Sequence, residues 1–492
     1  MRLAAVRLLL ALTLIVGISS NAQAQQTYQA SGCCANEIQN AFNAVTSGET
    51  ILVPGSCSCT WSSQVIVPSS LNQVTLQGGG IGSTTIDLNR ISQALQIASS
   101  IRVTGFTFKN FSNNGATNPG ITCTGSNWRI DHNDLQLNVG AGIATFGDSP
   151  GLIDHNDFEG GGNAAINPFG GANDGQGSWG QANFMGTANN TFIEYNTFTD
   201  PVIAQNGAPY DGAVDSYGGA HYVFRDNTVS STYIGGHGFD SGPWESTLLQ
   251  EVYGNNFSDP GNHINLTVDL RGGTAIVFNN IVAQSQGGSG GFDSVVDLQE
   301  YRASSAYVGS DGNNWDWCNG SSSYDGNQTS FGYPCRDQVG RGLTTSWTIG
   351  LNGQTGVTQK LAPVYAWNNN FGGQIVGGAV LGSGWGGTDY LSQDIVENRD
   401  YYNYTASFNG NSGVGQGVFS ARPSNCTPNV AYWATDKNTL YQCTATNTWS
   451  VYYTPFTDPF PLTASGFPNP SATPVPTATP VPPAPPENLH VL

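Results

Sequence analysis

The chain has 492 residues, a formal net charge of −19 and only 10% charged residues. Such acidity argues against nucleic acid as a partner, because nucleic acid needs a basic surface. It also argues against direct binding of a polyanionic polysaccharide, unless a bound cation reverses the local field. With 64 glycines and a hydrophobic fraction of 38%, the composition is typical of an ordered all-β protein whose turns are made by Gly and Asn.

Residues 1–24 have the pattern of a secretory signal. Arg2 and Arg7 precede an apolar run over residues 8–18, and Ala22-Gln-Ala24 fits a small-residue cleavage site. The run is too short for a membrane span, and no other segment is long enough. We therefore expect a secreted or cell-surface bacterial protein without a membrane span. Removing two Arg and no acid would change its formal charge from −19 to −21.

The cysteines predict disulfides, because nine of them occur in a chain that is expected to be exported. The N-terminal group should pair within itself; it contains Cys33, Cys34, Cys57 and Cys59. Two local bridges should form later in the chain, Cys318 with Cys335 and Cys426 with Cys443. Cys123 is left over and is expected to be a buried free thiol.

The first predicted elements form an N-terminal cap. Asn36 can cap a short helix that has Ile38, Phe42 and Val45 on one face. The strand Thr50-Ile-Leu-Val-Pro54 follows. This passage, Glu37-Ile-Gln-Asn-Ala-Phe-Asn-Ala and then Gly48-Glu-Thr-Ile-Leu-Val-Pro-Gly55, resembles the start of the pectate lyase superfamily. The resemblance implies a right-handed parallel β-helix whose first coil is covered by the helix.

A repeat then organises the middle of the chain. Trp128-Arg-Ile-Asp-His-Asn-Asp-Leu135 returns 23 residues later as Gly151-Leu-Ile-Asp-His-Asn-Asp-Phe158. Weaker copies contain Asn196, Asn227, Asn255 and Asn280. Strand-like units at this step predict a β-helix in which Asn makes a turn, since Asn tolerates left-handed backbone angles. The 40 residues from Asn156 to Asn196 leave an additional coil open.

Aligning the repeats on Asn gives a column of side chains that point away from the core: Asp131, Asp154, Glu194 and Arg225. Like charges on adjacent strands repel, so the three acids favour one of three arrangements. They share protons with raised pKa values, they hold Ca²⁺, which prefers clustered carboxylate oxygens, or they are solvated, with Glu194 paired to Arg225. His132 and His155 occupy equivalent turn positions, which favours structural stacking over metal binding.

A second group of candidates lies in Gly235-Gly-His-Gly-Phe-Asp-Ser-Gly242 and one coil later. His237 and Asp240 stand in a Gly-rich loop that allows a ligand to approach, and Arg271 follows. Two nearby insertions, over residues 160–190 and 201–219, would fall on one face of a solenoid, and such a face often binds a ligand.

The C-terminal part divides into three segments. The β-helix with its N-terminal cap is expected over residues 25–422, and a small disulfide-held β cap over 423–463. The aromatic residues of that cap suit packing on the last coil or, alternatively, stacking on sugars. Residues 464–492 form a Pro/Thr-rich linker.

In the pectate lyase superfamily, the resemblance implies a lyase that cleaves uronate polysaccharides by β-elimination. Acids on one sheet hold Ca²⁺ and a nearby Arg acts as the base. Asp131, Asp154 and Glu194 are then the metal ligands, Arg225 is the base, and His237, Asp240 and Arg271 are further catalytic candidates. We expect a monomer that acts on polysaccharide.

Two alternatives remain open on the same fold. A glycoside hydrolase would use Asp211, Asp215 and Asp240. A non-catalytic carbohydrate-binding or adhesive rod would use only the polar surface and the Pro/Thr stalk, because fold does not settle function.

Overall fold

The computed structural model describes residues 26–138, 140–147, 149–160, 164–170, 184–199, 212–237, 246–260, 266–285, 291–300, 329–330, 332–335, 338–342, 359–382 and 391–470. The predicted signal at residues 1–24 lies outside them. So do Asp211, Asp240 and Cys318, three residues with a predicted role.

The described chain winds as a parallel β-helix, as expected. Each coil contributes one strand to each of three long sheets, and nearly all neighbouring strands within these sheets are parallel. Helix α1, Ala35–Ala44, buries Ile38, Ala41 and Phe42 against the first coils. Its capping box satisfies backbone donors at the N-terminus through Glu37. The predicted N-terminal cap is therefore confirmed.

The strands of the three sheets follow one another in chain order along each sheet. Sheet A comprises Thr27–Gln29, Thr50–Leu52, Val74–Gln77, Ile101–Thr104, Trp128–Asp131, Gly151–Asp154, Thr191–Glu194, His221–Arg225, Leu249–Tyr253, Thr274–Phe278, Val364–Trp367 and Tyr401–Asn403. Sheet B comprises Cys57–Thr60, Thr84–Asp87, Thr107–Lys109, Asp134–Asn138, Asp157–Gly160, Thr197–Thr199, Thr228–Ser230, Asn256–Ser258, Ile281–Val282, Asn369–Phe371 and the antiparallel Gln374–Val376. Sheet C comprises Val65–Ile66, Leu95–Ile97, Ile121–Cys123, Ile143–Phe146, Ile166–Phe169, Val214–Ser216, Ile234–Gly236, Val268–Leu270, Val296–Leu298 and Ala379–Leu381.

Inward-facing side chains of all three sheets fill the coil. Ile130 and Ile153 from sheet A, Leu135 from sheet B and Ile143 and Ile166 from sheet C are each fully buried in one hydrophobic cluster. Strand alternation sends their neighbours outward, so the three outer faces carry the polar residues. Asp154 pairs directly with Glu194 in sheet A, and no additional coil lies between Asn156 and Asn196.

The asparagines form a continuous ladder at the turn from sheet A to sheet B. The backbone N–H of Asn133 donates to Oδ1 of Asn156 at 3.0 Å, and that of Asn156 donates to Oδ1 of Asn196 at 3.0 Å. The left-handed residue, however, is the one before each Asn: His132 has φ 53° and His155 has φ 54°. The expectation that Asn supplies the left-handed angle is therefore wrong; Asn instead satisfies buried backbone groups.

The C-terminal part packs on the outside of sheet A. A four-stranded sheet, Val414–Gly417, Ala431–Ala434, Thr439–Ala445 and Thr448–Tyr453, begins before the expected boundary at 423. Its residues Trp433 and Tyr453 share an apolar cluster with Phe192 and Tyr365 of sheet A. The residues that follow, 455–470, here called the strap, run back over sheet A as far as Arg129.

The remaining described elements are short. They are the two-stranded pair Arg341–Gly342 with Lys360–Leu361, helix α2 over Leu391–Asp394, and a 3₁₀ turn over Phe419–Ala421.

The described disulfides confirm the predicted pairing groups. Cys33 bonds to Cys57, Cys34 to Cys59, and Cys426 to Cys443. Cys123 is a buried free thiol, and burial raises its pKa well above the usual range. Such bridges form in an oxidising compartment. None of the helices in the described part of the chain has the length and apolar character needed to span a bilayer.

Candidate active site

The predicted column on sheet A does lie in register. Asp131 pairs with Asp154, Asp154 with Glu194, and Glu194 with Arg225. All four side chains point away from the coil core, yet each is at most 2% exposed. The strap and the C-terminal sheet cover them, so the expectation of solvated side chains on an open face is wrong.

Each carboxylate in this column is held by an arginine. Arg102 donates to both oxygens of Asp131 at 2.8 and 2.6 Å. Arg129 does the same to Asp154 at 2.8 and 2.7 Å. Burial acts to raise the pKa of Asp154, but the hydrogen bonds from Arg129 and His155 outweigh it and lower that pKa.

Glu194 receives donors on both of its oxygens as well. Arg225 Nε donates to Oε2 at 2.7 Å, and the backbone N–H of Phe460 in the strap donates to Oε1 at 2.8 Å. The expected pairing of Glu194 with Arg225 is therefore confirmed.

This set of donors does not fit Ca²⁺. The cation takes six to eight oxygen ligands, whereas these carboxylate oxygens already accept hydrogen bonds from guanidinium and backbone groups, and the arginines would repel a cation. Across the described ranges, no three His, Cys, Asp or Glu side chains are grouped as metal ligands. Whether the protein needs Ca²⁺ elsewhere remains an untested prediction.

Arg225 is also unsuited to the role of a base. It is fully buried, and its guanidinium donates to the carbonyl oxygens of Phe456 and Thr457 at 2.8 and 2.9 Å. Burial acts to lower the pKa of Arg225, but Tyr253, Glu194 and Asp458 outweigh it and raise that pKa well above the usual range. A guanidinium held in its charged form cannot accept a proton.

The turn histidines are structural, as the sequence favoured. The rings of His132 and His155 stack at 5.0 Å with an interplanar angle of 2°. Their Nδ1 atoms lie 2.8 Å from Asp131 Oδ2 and Asp154 Oδ2, respectively. Tyr195 continues the stack on His155.

The outer face of sheet C gathers the other predicted candidates into two columns. The first column runs Asn167, Asp215, Gly235, Asp269 and Asp297, and the second runs Phe169, Tyr217, His237, Arg271 and Gln299. We call these ten residues the sheet C track. Because neighbouring strands are about 4.8 Å apart, the track places acid, base and cationic side chains on five consecutive coils.

His237 is fixed in place by two neighbours in the track. Its Nδ1 lies 2.6 Å from Asp215 Oδ1, and its ring stacks on that of Tyr217 at 4.3 Å. The Tyr217 hydroxyl donates to the other Asp215 oxygen. A neutral His237 that donates from Nδ1 to the Asp215 carboxylate carries its lone pair on Nε2.

One coil further along, Arg271 and two acids follow. Arg271 Nε donates to Asp269 Oδ2 at 2.8 Å. Asp297 stands opposite Asp269 on the next strand and accepts from Gln299 Nε2 at 2.7 Å. Burial and the charge of Asp269 raise the pKa of Asp297 to about 7, so Asp297 keeps its proton in mildly acidic solution.

The side-chain amides near opposite ends of the track each have a buried oxygen without a hydrogen-bond partner among the described residues. These oxygens are Oδ1 of Asn167 and Oε1 of Gln299. Buried polar atoms rarely lack a partner in a folded protein. A ligand that carries hydroxyl groups would satisfy both of them.

Sequence reasoning found His237, Arg271 and Asp215 but missed Asp269 and Asp297. The signal that marks them is a repeated strand, Val214-Asp-Ser, Val268-Asp-Leu and Val296-Asp-Leu. In each, one acid stands between residues that face inward. The sequence pattern over residues 284–360 is less regular than in the preceding coils, which hid the third copy.

The fold and this track define a parallel β-helix protein with acid–base side chains along one outer face. No family model matches the chain, and comparison with curated proteins gives no match. Among solved structures, the chain is similar to an alginate lyase from Paenibacillus sp. str. FPU-7. The two are 13% identical with a TM-score of 0.29, over 55% of this chain and 90% of that one. A likeness so distant carries no argument about function.

Proposed function

We propose that the protein is a secreted polysaccharide lyase whose active site is the sheet C track, not the sheet A column. The observation that carries the proposal is His237, whose Nδ1 lies 2.6 Å from Asp215 Oδ1, on the coil next to Arg271. A base beside a guanidinium is what β-elimination from a uronate needs. The base removes the proton α to the carboxylate, and a cation stabilises the charge that develops.

Each step of the proposed reaction has a residue in the track. His237 Nε2 takes the proton α to the carboxylate while Arg271 binds the carboxylate. The electron pair of the broken C–H bond forms a carbon–carbon double bond, and the bond to the glycosidic oxygen breaks. Protonated Asp297 donates its proton to the leaving oxygen. Arg271 takes the role that was expected of Ca²⁺. Its positive charge also allows an acidic protein to bind a polyanionic polysaccharide.

The track is long enough for an extended chain. Five coils at about 4.8 Å per coil span roughly 20 Å between the outer strands. Gly235 lies in the first column between Asp215 and Asp269, so no side chain separates these acids there. Asn167 Oδ1 and Gln299 Oε1 would accept hydrogen bonds from sugar hydroxyls on either side of the reacting bond.

Glycoside hydrolysis is the second candidate, and one observation favours it. Asp269 and Asp297 stand on adjacent strands about 4.8 Å apart, close to the ~5–5.5 Å between carboxyl groups in retaining enzymes. One is paired with Arg271 and the other retains its proton to pH of about 7. Hydrolysis, however, gives no role to the His237–Asp215 pair, which is why we place it second.

One experiment separates the candidates. The mature protein is incubated with uronate and neutral polysaccharides in the presence of EDTA, and products are followed by ultraviolet absorbance and by reducing ends. Unsaturated products that form despite EDTA, and that are lost in His237→Asn, support the proposal. The matched control is His132→Asn, which changes an exposed histidine at the turn between sheets A and B. New reducing ends without unsaturated products would support a glycoside hydrolase. Binding without cleavage would support a non-catalytic carbohydrate-binding or adhesive protein.

A further inference from the structure

The outer side of the C-terminal sheet carries an arginine surrounded by aromatic rings. The guanidinium carbon of Arg422 lies 4.5 Å from the ring centroid of Phe419, 4.6 Å from that of Tyr441 and 5.2 Å from that of Trp449. All four side chains are partly exposed. We call these four residues the cap surface; Trp433 and Tyr453 of the same sheet pack instead on sheet A.

Arg422 differs from the other arginines in its surroundings. Arg102, Arg129, Arg225 and Arg271 each bind a carboxylate, as expected where acids outnumber bases by 34 to 15. Within the described residues, no carboxylate lies within ion-pair distance of Arg422, and its Nη1 is buried without a hydrogen-bond partner. Burial lowers the pKa of Arg422, against the opposing effect of Tyr441 and Tyr432.

The surroundings of the arginine hold it in position. Trp449 Nε1 donates at 2.8 Å to the carbonyl oxygen of Pro423, the residue that directly follows Arg422 in the chain. The disulfide between Cys426 and Cys443 ties the same loop to the strand that carries Tyr441. Next to Tyr441, Val451 is 63% exposed, so the apolar surface extends beyond the rings.

We infer that the cap surface is an accessory binding site for an acidic sugar residue of a polysaccharide. Aromatic rings present apolar faces on which the C–H groups of a sugar pack. A planar guanidinium binds a carboxylate through two parallel hydrogen bonds. The choice of a uronate rests on the proposed function, but the site lies on the C-terminal sheet outside sheet A and takes no part in cleavage. Its role is to hold the polymer near the enzyme.

The test measures retention in affinity electrophoresis through gels that contain a uronate polysaccharide, a sulfated one or a neutral one. All variants carry His237→Asn, so that the polymer stays intact. We expect the parent to be retarded by the uronate and Arg422→Gln to bind it about tenfold more weakly or worse, since hydrogen bonds to charged groups are the stronger ones. Lys437→Gln, which removes one exposed positive charge from the turn between two strands of the same sheet, should bind like the parent. Equal retention of Arg422→Gln and parent would overturn the inference, and so would retention by the sulfated polymer alone.

A second measurement does not depend on a variant of the cap. Hydrogen exchange of the His237→Asn protein is compared with and without a uronate oligosaccharide. Slower exchange in peptides that cover residues 419–449 is the expected result, and unchanged exchange there contradicts the inference. Failure of the proposed function would give a different result. The wild-type protein would then cleave no uronate polysaccharide, while retention that depends on Arg422 would persist.

Discussion

Glu194 and Arg225 lie opposite each other on adjacent strands of sheet A, with Arg225 Nε 2.7 Å from Glu194 Oε2. Neither side chain is more than 2% exposed. Arg225 also binds two carbonyl oxygens of the strap, and Glu194 accepts from its backbone at Phe460. The pair therefore fastens the C-terminal strap to the β-helix, and all three guanidinium nitrogens and both carboxylate oxygens are used within the fold.

Glu194→Gln should destabilise the protein without impairing catalysis. The substitution leaves the Arg225 charge buried without its partner, which costs about 3–5 kcal/mol of unfolding free energy. Urea unfolding measures that loss, and the rate on polysaccharide is measured for the same samples. Glu159→Gln, an exposed acid on sheet B, should change neither quantity. A large loss of rate with unchanged unfolding would instead restore a catalytic role to the sheet A column.

Asp215→Asn should lower kcat by about 10²-fold or more, because general-base catalysis contributes 10²–10⁴-fold. An amide N–H donates to His237 Nδ1, which moves the imidazole proton to Nε2 and removes the lone pair that accepts the substrate proton. Steady-state kinetics should show the loss in kcat with little change in KM. Asp157→Asn, exposed on sheet B, is the matched control. Activity above half of the wild-type level would exclude His237 as the base.

The proton on Asp297 should set the alkaline limb of the pH–rate profile. Burial and the charge of Asp269 raise the pKa of Asp297 to about 7, so the general acid is present below that pH and is lost above it. We expect kcat to fall as pH rises through about 7. Asp297→Asn should remove this limb together with most of the activity. A profile that stays flat to pH 9 in the wild-type protein would contradict the assignment.

A buried acid should also make stability depend on pH. Glu251 is fully buried, accepts from the backbone of Gly186 and from Tyr453, and burial raises its pKa from 4.5 to about 7. Protonated Glu251 therefore makes its full contribution to the free energy of unfolding below pH of about 4.5. This contribution is lost as the pH rises through about 7.

Glu251→Gln should therefore be more stable than wild type at pH 8 by up to about 3 kcal/mol. At pH 4.5 the two proteins should be nearly equal. Urea unfolding at both pH values checks this difference, with Glu159→Gln again as the control. The same offset at both pH values would show that titration of Glu251 does not contribute.

The fold was predictable where a pattern repeats in the sequence. The Asn repeat and the N-terminal cap predicted the coil and the register of Asp131 on Asp154. Register, however, does not show what covers a face. Arg129 stands two residues before Asp131 in its own strand and binds Asp154 on the next, and the strap that buries the column comes from more than 200 residues away.

The candidate site was predictable only in part for a related reason. His237 and Arg271 were found because each stands in a Gly-rich stretch, whereas Asp269 and Asp297 stand singly inside short apolar strands. A lone acid between apolar residues gives no chemical signal until its strand is placed beside a second one. The pairing of Asp269 with Asp297 supplies that information.

The Asn ladder should be the most costly turn element to interrupt. Asn156 Oδ1 accepts from both the backbone and the side chain of Asn133, and Asn156 Nδ2 donates to the carbonyl oxygen of Ile130 at 2.8 Å. Asn156→Ala leaves these buried groups without partners at about 1–3 kcal/mol each, so we expect a total loss of roughly 3–5 kcal/mol. Thermal and urea unfolding measure it. Asn256→Ala, exposed in sheet B, should cost less than about 1 kcal/mol. If the two variants unfold alike, the ladder is not what holds neighbouring coils together at this turn.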